Sequence, residues 1–204
     1  MARQGVDLLL AFHDGAHFIE KPNAVMVLSG FKSIGPAVVV VPNEGKATLI
    51  VSPAWDLERA AECAPDFFHA GAEDIVDVLA DHVPSGSELK IGTAGLAGIP
   101  SRIGERLEAI IGGPLRPMDQ YVFAAARCKS ENQIVKARRA ARIAEQGYER
   151  LLQIARPGMR EDELAVDLRH YMKTLGAEDN FLMLCASSHN RAVQPSSGRL
   201  LERG

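Results

Sequence analysis

The side chains best suited to chemistry are histidines at two places in the sequence. His13 and His17 stand four residues apart with Asp14 between them. On a helix, two histidines at this spacing would lie on one face and could bind the same metal ion. Gly15 makes a helix unfavourable there, and the pair lacks the glutamate of the His-Glu-x-x-His zinc motif. We therefore predict no metal site at these histidines.

The stretch 186–195 is the best candidate for a substrate-binding loop. It follows the apolar run 181–186, which is typical of a strand, and it is rich in side-chain hydrogen-bond donors. His189 and Asn190 are its predicted substrate-binding residues. A polar loop that uses the same two side chains for turn hydrogen bonds explains the stretch equally well. No serine stands in a Gly-x-Ser-x-Gly elbow, so we predict no catalytic residue in this chain.

A long amphipathic helix precedes this loop. Ser130 followed by Gln133 is typical of a capping box, which places the start of a helix after Lys129. Apolar residues then recur at steps of three and four, as one face of a helix requires. They are Ile134, Ala137, Ala141, Ala144, Tyr148, Leu151 and Ala155.

A second helix should follow after a tight turn. In residues 156–159, Pro157 and Gly158 occupy the positions that a type II turn favours. Acidic residues come next, where the positive end of a helix favours them, and an apolar stripe and a capping glycine follow. These residues are Glu161, Asp162 and Glu163, then Leu164, Leu168, Tyr171, Met172 and Leu175, then Gly176.

The first 120 residues alternate strand and helix patterns, which indicates an α/β domain. The runs 5–12 and 90–92 predict strands, and the β-branched runs 38–41 and 47–51 predict a hairpin. Apolar spacing predicts three helices, around residues 55–61, 75–79 and 103–110. We place the boundary between domains near 121–127, giving a first domain at 1–123 and a second at 124–204.

The composition excludes several classes of protein. A formal net charge of −3 gives no support to nucleic-acid binding or to an anionic membrane surface, and no apolar run is as long as a membrane span. Cys63, Cys128 and Cys185 are odd in number and far apart. Their spacing suits neither a disulfide framework nor a metal site, so we predict reduced thiols and a cytoplasmic location.

The order of these signals resembles the pita-bread metallohydrolases, the family of Xaa-Pro aminopeptidases, prolidases and creatinase. The residues that carry the resemblance are Arg127-x-Lys129-Ser130, Arg156-Pro157-Gly158-Met159-x-Glu161-x-Glu163-Leu164 and Leu175-Gly176-Ala177. Earlier in the chain, Gly5-Val6-Asp7, Asn23 and Leu28-Ser29-Gly30-Phe31 resemble that family's N-terminal domain. The resemblance implies a mixed sheet with flanking helices, followed by the first helices and strand of a pita-bread α+β domain.

The resemblance also implies a function. Members of the family hydrolyse C–N bonds of small peptides or amidines with two divalent metal ions, such as manganese, cobalt or zinc, and they form homodimers. Two Asp, one His and two Glu hold those ions, and all five would lie beyond Gly204, so the chain would be the N-terminal portion of such an enzyme. Asn190 matches a family asparagine, whereas the family's substrate-contacting histidine falls near Gln194 or Pro195 and is missing. A non-catalytic dimerisation or ligand-binding module, or one subunit of a split enzyme, is the alternative.

Overall fold

The computed structural model describes residues 1–15, 23–83, 89–112, 115–178, 180–187 and 193–203. These residues form two compact units, 1–128 and 129–204. The first unit is built on a sheet, and the second is built on two long helices.

A six-stranded mixed sheet is the frame of the first unit. Its strands, in chain order, are β1 (Leu8–His13), β2 (Ala37–Pro42), β3 (Thr48–Val51), β4 (Phe68–Gly71), β5 (Ile91–Ala94) and β6 (Arg116–Pro117). Their order across the sheet is β4-β3-β2-β1-β5-β6. The predicted hairpin is present, because β2 and β3 pair antiparallel through Ala37↔Val51 to Val40↔Thr48. The predicted mixed sheet with flanking helices is therefore confirmed.

Both faces of this sheet are buried. The helices of the first unit are α1 (Ala24–Ser29), α2 (Leu57–Cys63), α3 (Ile75–Ala80), α4 (Ser101–Ile111) and α5 (Asp119–Ala125). Along β1, Leu9 and Ala11 pack into one core with residues of α1, α2 and α5. Leu8, Leu10 and Phe12 face the other core, which includes residues of α3 and α4. A strand covered on both faces reads as a continuous apolar run, and this explains the sequence of β1.

The strand β1 lies inside the sheet although it is the first strand of the chain. It pairs antiparallel with β2 on one side, with Leu10 opposite Val40. On the other side it pairs parallel with β5, with Leu8 opposite Ile91. Directly after β5, Gly95 has a φ of +83°, and a β-carbon there would lie against the carbonyl oxygen of Phe12. The chain passes so close to β1 at this point that only glycine fits.

The second unit contains the two predicted helices, α6 (Glu131–Ile154) and α7 (Glu161–Thr174). The predicted capping box is present: Gln133 donates its backbone N–H to Ser130 Oγ, and its side chain accepts from the Ser130 N–H. Gly158 has a φ of +88°, and Met159 N–H donates to the Arg156 carbonyl at 3.2 Å, as the predicted turn requires.

One expectation for this unit is wrong. Residues 181–186 form no strand, because no strand of the described part of the unit lies beside them to exchange backbone hydrogen bonds; the segment is irregular instead. The apolar face of α6 is largely exposed, since Gly147 is the one buried residue of that helix. In α7 the predicted stripe is buried at Leu164 and Leu168.

Candidate functional site

Glu161, the first residue of α7, is a buried charged side chain of the second unit. It is 1 % exposed, and three donors in the described part of the chain reach its carboxylate. Oε1 accepts the backbone N–H of Ala186 at 2.6 Å. Oε2 accepts the backbone N–H of Ser197 at 3.0 Å and its hydroxyl at 2.7 Å. One carboxylate thus joins two segments that are separated by ten residues of sequence.

Backbone hydrogen bonds hold one of these segments against the start of α7. Glu161 N–H donates to the Arg199 carbonyl at 2.9 Å, and Asp162 N–H donates to the Ser197 carbonyl at 3.0 Å. Gly158 N–H and the Met159 carbonyl bond to both sides of Leu201, each at 2.8 Å. Residues 158–162 and 197–201 therefore pair in antiparallel fashion around the Arg160↔Leu200 bridge.

The same hydrogen bonds lower the pKa of Glu161 below its ordinary value. The Ala186 N–H contributes most, the Ser197 hydroxyl follows, and burial opposes both. Arg199 adds a favourable charge, with Nη1 3.7 Å from Oε1. Glu161 is therefore ionised near neutral pH, and it acts as an acceptor of hydrogen bonds rather than as an acid.

The two predicted substrate-binding residues, His189 and Asn190, lie outside the described residues, and so does His17. The described residues Ala186 and Ser197 lie on either side of them in sequence, and both are bound to Glu161. The sequence identified Glu161 as an acid at the positive end of a helix and as part of the motif at 156–164, without its burial or its partners. The burial of Glu161 could not be predicted, because a local sequence pattern does not show that a charged residue is buried.

Two other places in the described residues have fewer features of a functional site. In the first unit, His13 ends β1 and its Nδ1 lies 3.5 Å from Asp14 Oδ1, beside a cavity of about 50 Å³ that is too small for a peptide. In the second unit, a shallow groove runs along α7 past His170. Its acids Asp162 and Asp167 are bound to arginines, at 2.6 Å and 3.0 Å respectively.

The described residues form no cluster that could hold a metal ion. Across the ranges that the structure describes, no three His, Cys, Asp or Glu side chains lie close enough together to hold a metal ion. Cys185 is half-buried in an irregular segment, with Sγ 3.4 Å from Arg199 Nη1. No helix in the described ranges has both the length and the apolar composition needed to cross a bilayer.

The second unit is similar in sequence to a known family of enzymes. Residues 135–204 match the model of metallopeptidase family M24. This range includes α7 and Glu161, together with Ala186 and Ser197, the two residues that Glu161 binds. The match confirms the resemblance drawn from the Arg-Pro-Gly-Met turn and the helices around it.

Among solved structures, the chain is similar to prolidase from Pyrococcus horikoshii OT3, with 22% identity and a TM-score of 0.80. It is also similar to X-Pro aminopeptidase from Thermotoga maritima MSB8, at 23% and 0.78, and to Xaa-Pro dipeptidase from Bacillus anthracis, at 21% and 0.76. All of this chain is covered in each case, against 55%, 57% and 55% of those chains. The chain thus spans little more than half their length, and at these identities the likeness shows the fold. A comparison with curated protein sequences gives no match.

Proposed function

We propose that this chain is the N-terminal part of a metal-dependent hydrolase that cleaves a C–N bond in a small peptide, amide or amidine. The match of residues 135–204 to metallopeptidase family M24 carries the proposal. The likeness in fold to a prolidase and an X-Pro aminopeptidase supports it, because each match covers all of this chain.

The metal ions of such an enzyme would supply a hydroxide near neutral pH and polarise the scissile carbonyl. We propose that the metal ligands lie beyond residue 204, as the resemblance to the family implies. The part of this chain in the reaction would then be substrate binding, with His189 and Asn190 as the proposed contacts. The homodimer implied by the resemblance and the cytoplasmic location stay predictions.

The test compares the 204-residue chain with the product of the same reading frame extended past residue 204. Each would be titrated with manganese, cobalt and zinc by calorimetry, and assayed with Xaa-Pro peptides and with creatine. We expect stoichiometric metal binding and hydrolysis in the extended protein only. In that protein, His189→Ala and Asn190→Ala should raise KM, whereas the control His170→Ala, an exposed histidine on α7, should not.

Two outcomes would overturn the proposal. Tight metal binding by the 204-residue chain, with turnover abolished by His189→Ala, would make the stretch 187–194 a catalytic site in its own right. An extended protein that neither binds metal nor hydrolyses these substrates would favour the non-catalytic module.

A further inference from the structure

The contacts of Glu161 are more specific than a favourable charge at a helix end requires. An exposed acid in the first turn of α7 would serve the helix dipole, as Glu163 does. Glu161 is buried instead, and its two oxygens point to different segments, Oε1 to Ala186 and Oε2 to Ser197. Burial of a carboxylate is unfavourable unless hydrogen bonds compensate for the lost water.

Few side chains could replace a carboxylate at this position. All three donors that meet it are N–H or O–H groups, and an ionised carboxylate is an acceptor on both of its oxygens. Glutamine keeps the shape but presents an NH₂ group on one side, so a donor would face a donor at Ala186 or at Ser197. Aspartate is shorter by one methylene and could not reach both segments from the same backbone position.

We propose that Glu161 is a positioning residue, which binds residue 186 to residue 197 and so fixes the distance between the two ends of the stretch 187–196. Backbone pairing holds the 197–201 side against α7 independently of any side chain. The Ala186 N–H is joined to the helix start through the Glu161 carboxylate, while the Ala186 carbonyl accepts a longer hydrogen bond, at 3.4 Å, from Arg199 Nη1. The proposal rests on the proposed function in one respect, which is that this stretch carries the substrate contacts His189 and Asn190.

The test measures backbone amide exchange in the 204-residue chain by NMR, comparing wild type with Glu161→Gln and Glu161→Ala. In Glu161→Gln we expect the Ala186 or the Ser197 amide to exchange roughly tenfold faster, as loss of one charge-assisted hydrogen bond predicts. In Glu161→Ala we expect both amides to exchange faster. Amides in the middle of α7, around Leu168, should keep their protection. Glu163→Gln is the matched control, because it neutralises an exposed acid in the same helical turn.

A pH series separates positioning from a general contribution to stability. The pKa of Glu161 is lowered, so the wild-type amides should lose protection only as the pH falls through that lowered value, below the ordinary 4.5. Arg199 is the charged group that faces Glu161 from the other segment, and Asp162 on the same helix is bound to Arg160. In Glu161→Gln the protection of these amides relative to Leu168 should not change with pH.

Unchanged exchange at both Ala186 and Ser197 in Glu161→Ala would overturn the proposal. So would an equal loss of protection along all of α7 in Glu161→Gln, since that would show a residue that stabilises the unit as a whole. None of these readings depends on metal or substrate. They can therefore fail without the proposed function failing, and the metal and hydrolysis assays can fail without them.

Discussion

Asp74 performs two tasks with one side chain in the first unit. Its Oδ1 accepts the Val76 N–H at 2.9 Å and so caps α3, while its Oδ2 accepts from Arg106 at 2.6 Å. These hydrogen bonds, the one from Arg106 first, hold the pKa of Asp74 below its ordinary value. A carboxyl with a lowered pKa stabilises the folded state above its ordinary pKa, and this stabilisation is lost as the pH falls through the lowered value.

Asp74→Asn should separate these two tasks. Asparagine caps helices as well as aspartate does, so the variant keeps the cap and loses the charge. We expect a small loss of stability at neutral pH and a flatter decline in acid than in wild type, below the ordinary value of 3.8. Urea unfolding over a pH series would measure both. Asp77→Asn is the control, since Asp77 forms a salt bridge with the same Arg106 but its side chain is 74% exposed. Parallel curves for Asp74→Asn and wild type would contradict the expectation.

At the scale of elements, the connection after β5 depends on Gly95. A side chain there would be strained by the positive φ and would also collide with the Phe12 carbonyl. We expect Gly95→Ala to destabilise the first unit by more than about 3 kcal/mol, because strain and overpacking add. Gly30 also has a positive φ, of +71°, but has open space around it. For Gly30→Ala we therefore expect only the strain of the positive φ, about 1 kcal/mol.

Denaturant unfolding of the two variants isolates the effect of space, since the positive φ is common to both. If the two alanine substitutions lowered the free energy of unfolding equally, the close approach of the chain to β1 would be refuted as a constraint on the fold.

The sequence predicted elements whose signals are local. The capping box at Ser130, the turn at Gly158 and the β2–β3 hairpin depend on residues a few positions apart, and all are present. The apolar run 181–186 satisfied the pattern of a strand, but a strand also needs a neighbour, and that information is not local. For the same reason, the pattern at Glu161 predicted its place on the helix and not its two distant partners.

At the scale of the molecule, the two units differ in how much of their backbone is enclosed. The sheet of the first unit has a core on each face. In the second unit, α6 buries one residue of its 24. Amide protection follows burial and local contact density. We therefore expect faster exchange in residues 129–204 than in 5–118, and fastest in the first turns of α6, where every residue is exposed.

A chain ending at residue 128 tests the independence of the first unit. It should unfold cooperatively in urea, with the midpoint and the amide protection of the same residues in the full chain. Equal protection in both units of the full chain, or a first unit that fails to fold alone, would show that 1–128 and 129–204 stabilise one another.

The inner position of β1 has a consequence for synthesis on the ribosome. Asp7 and Lys90, at the start of the β1–β5 pairing, are 83 residues apart in sequence and are joined by a hydrogen bond. The strand β1 emerges before β5, can form a three-stranded sheet with β2 and β3, and must then keep its other edge open until β5 has been translated. An unpaired apolar edge is a site for wrong pairing, and long-range pairing is slow. The nascent chain should thus be most vulnerable to aggregation between the synthesis of β3 and that of β5.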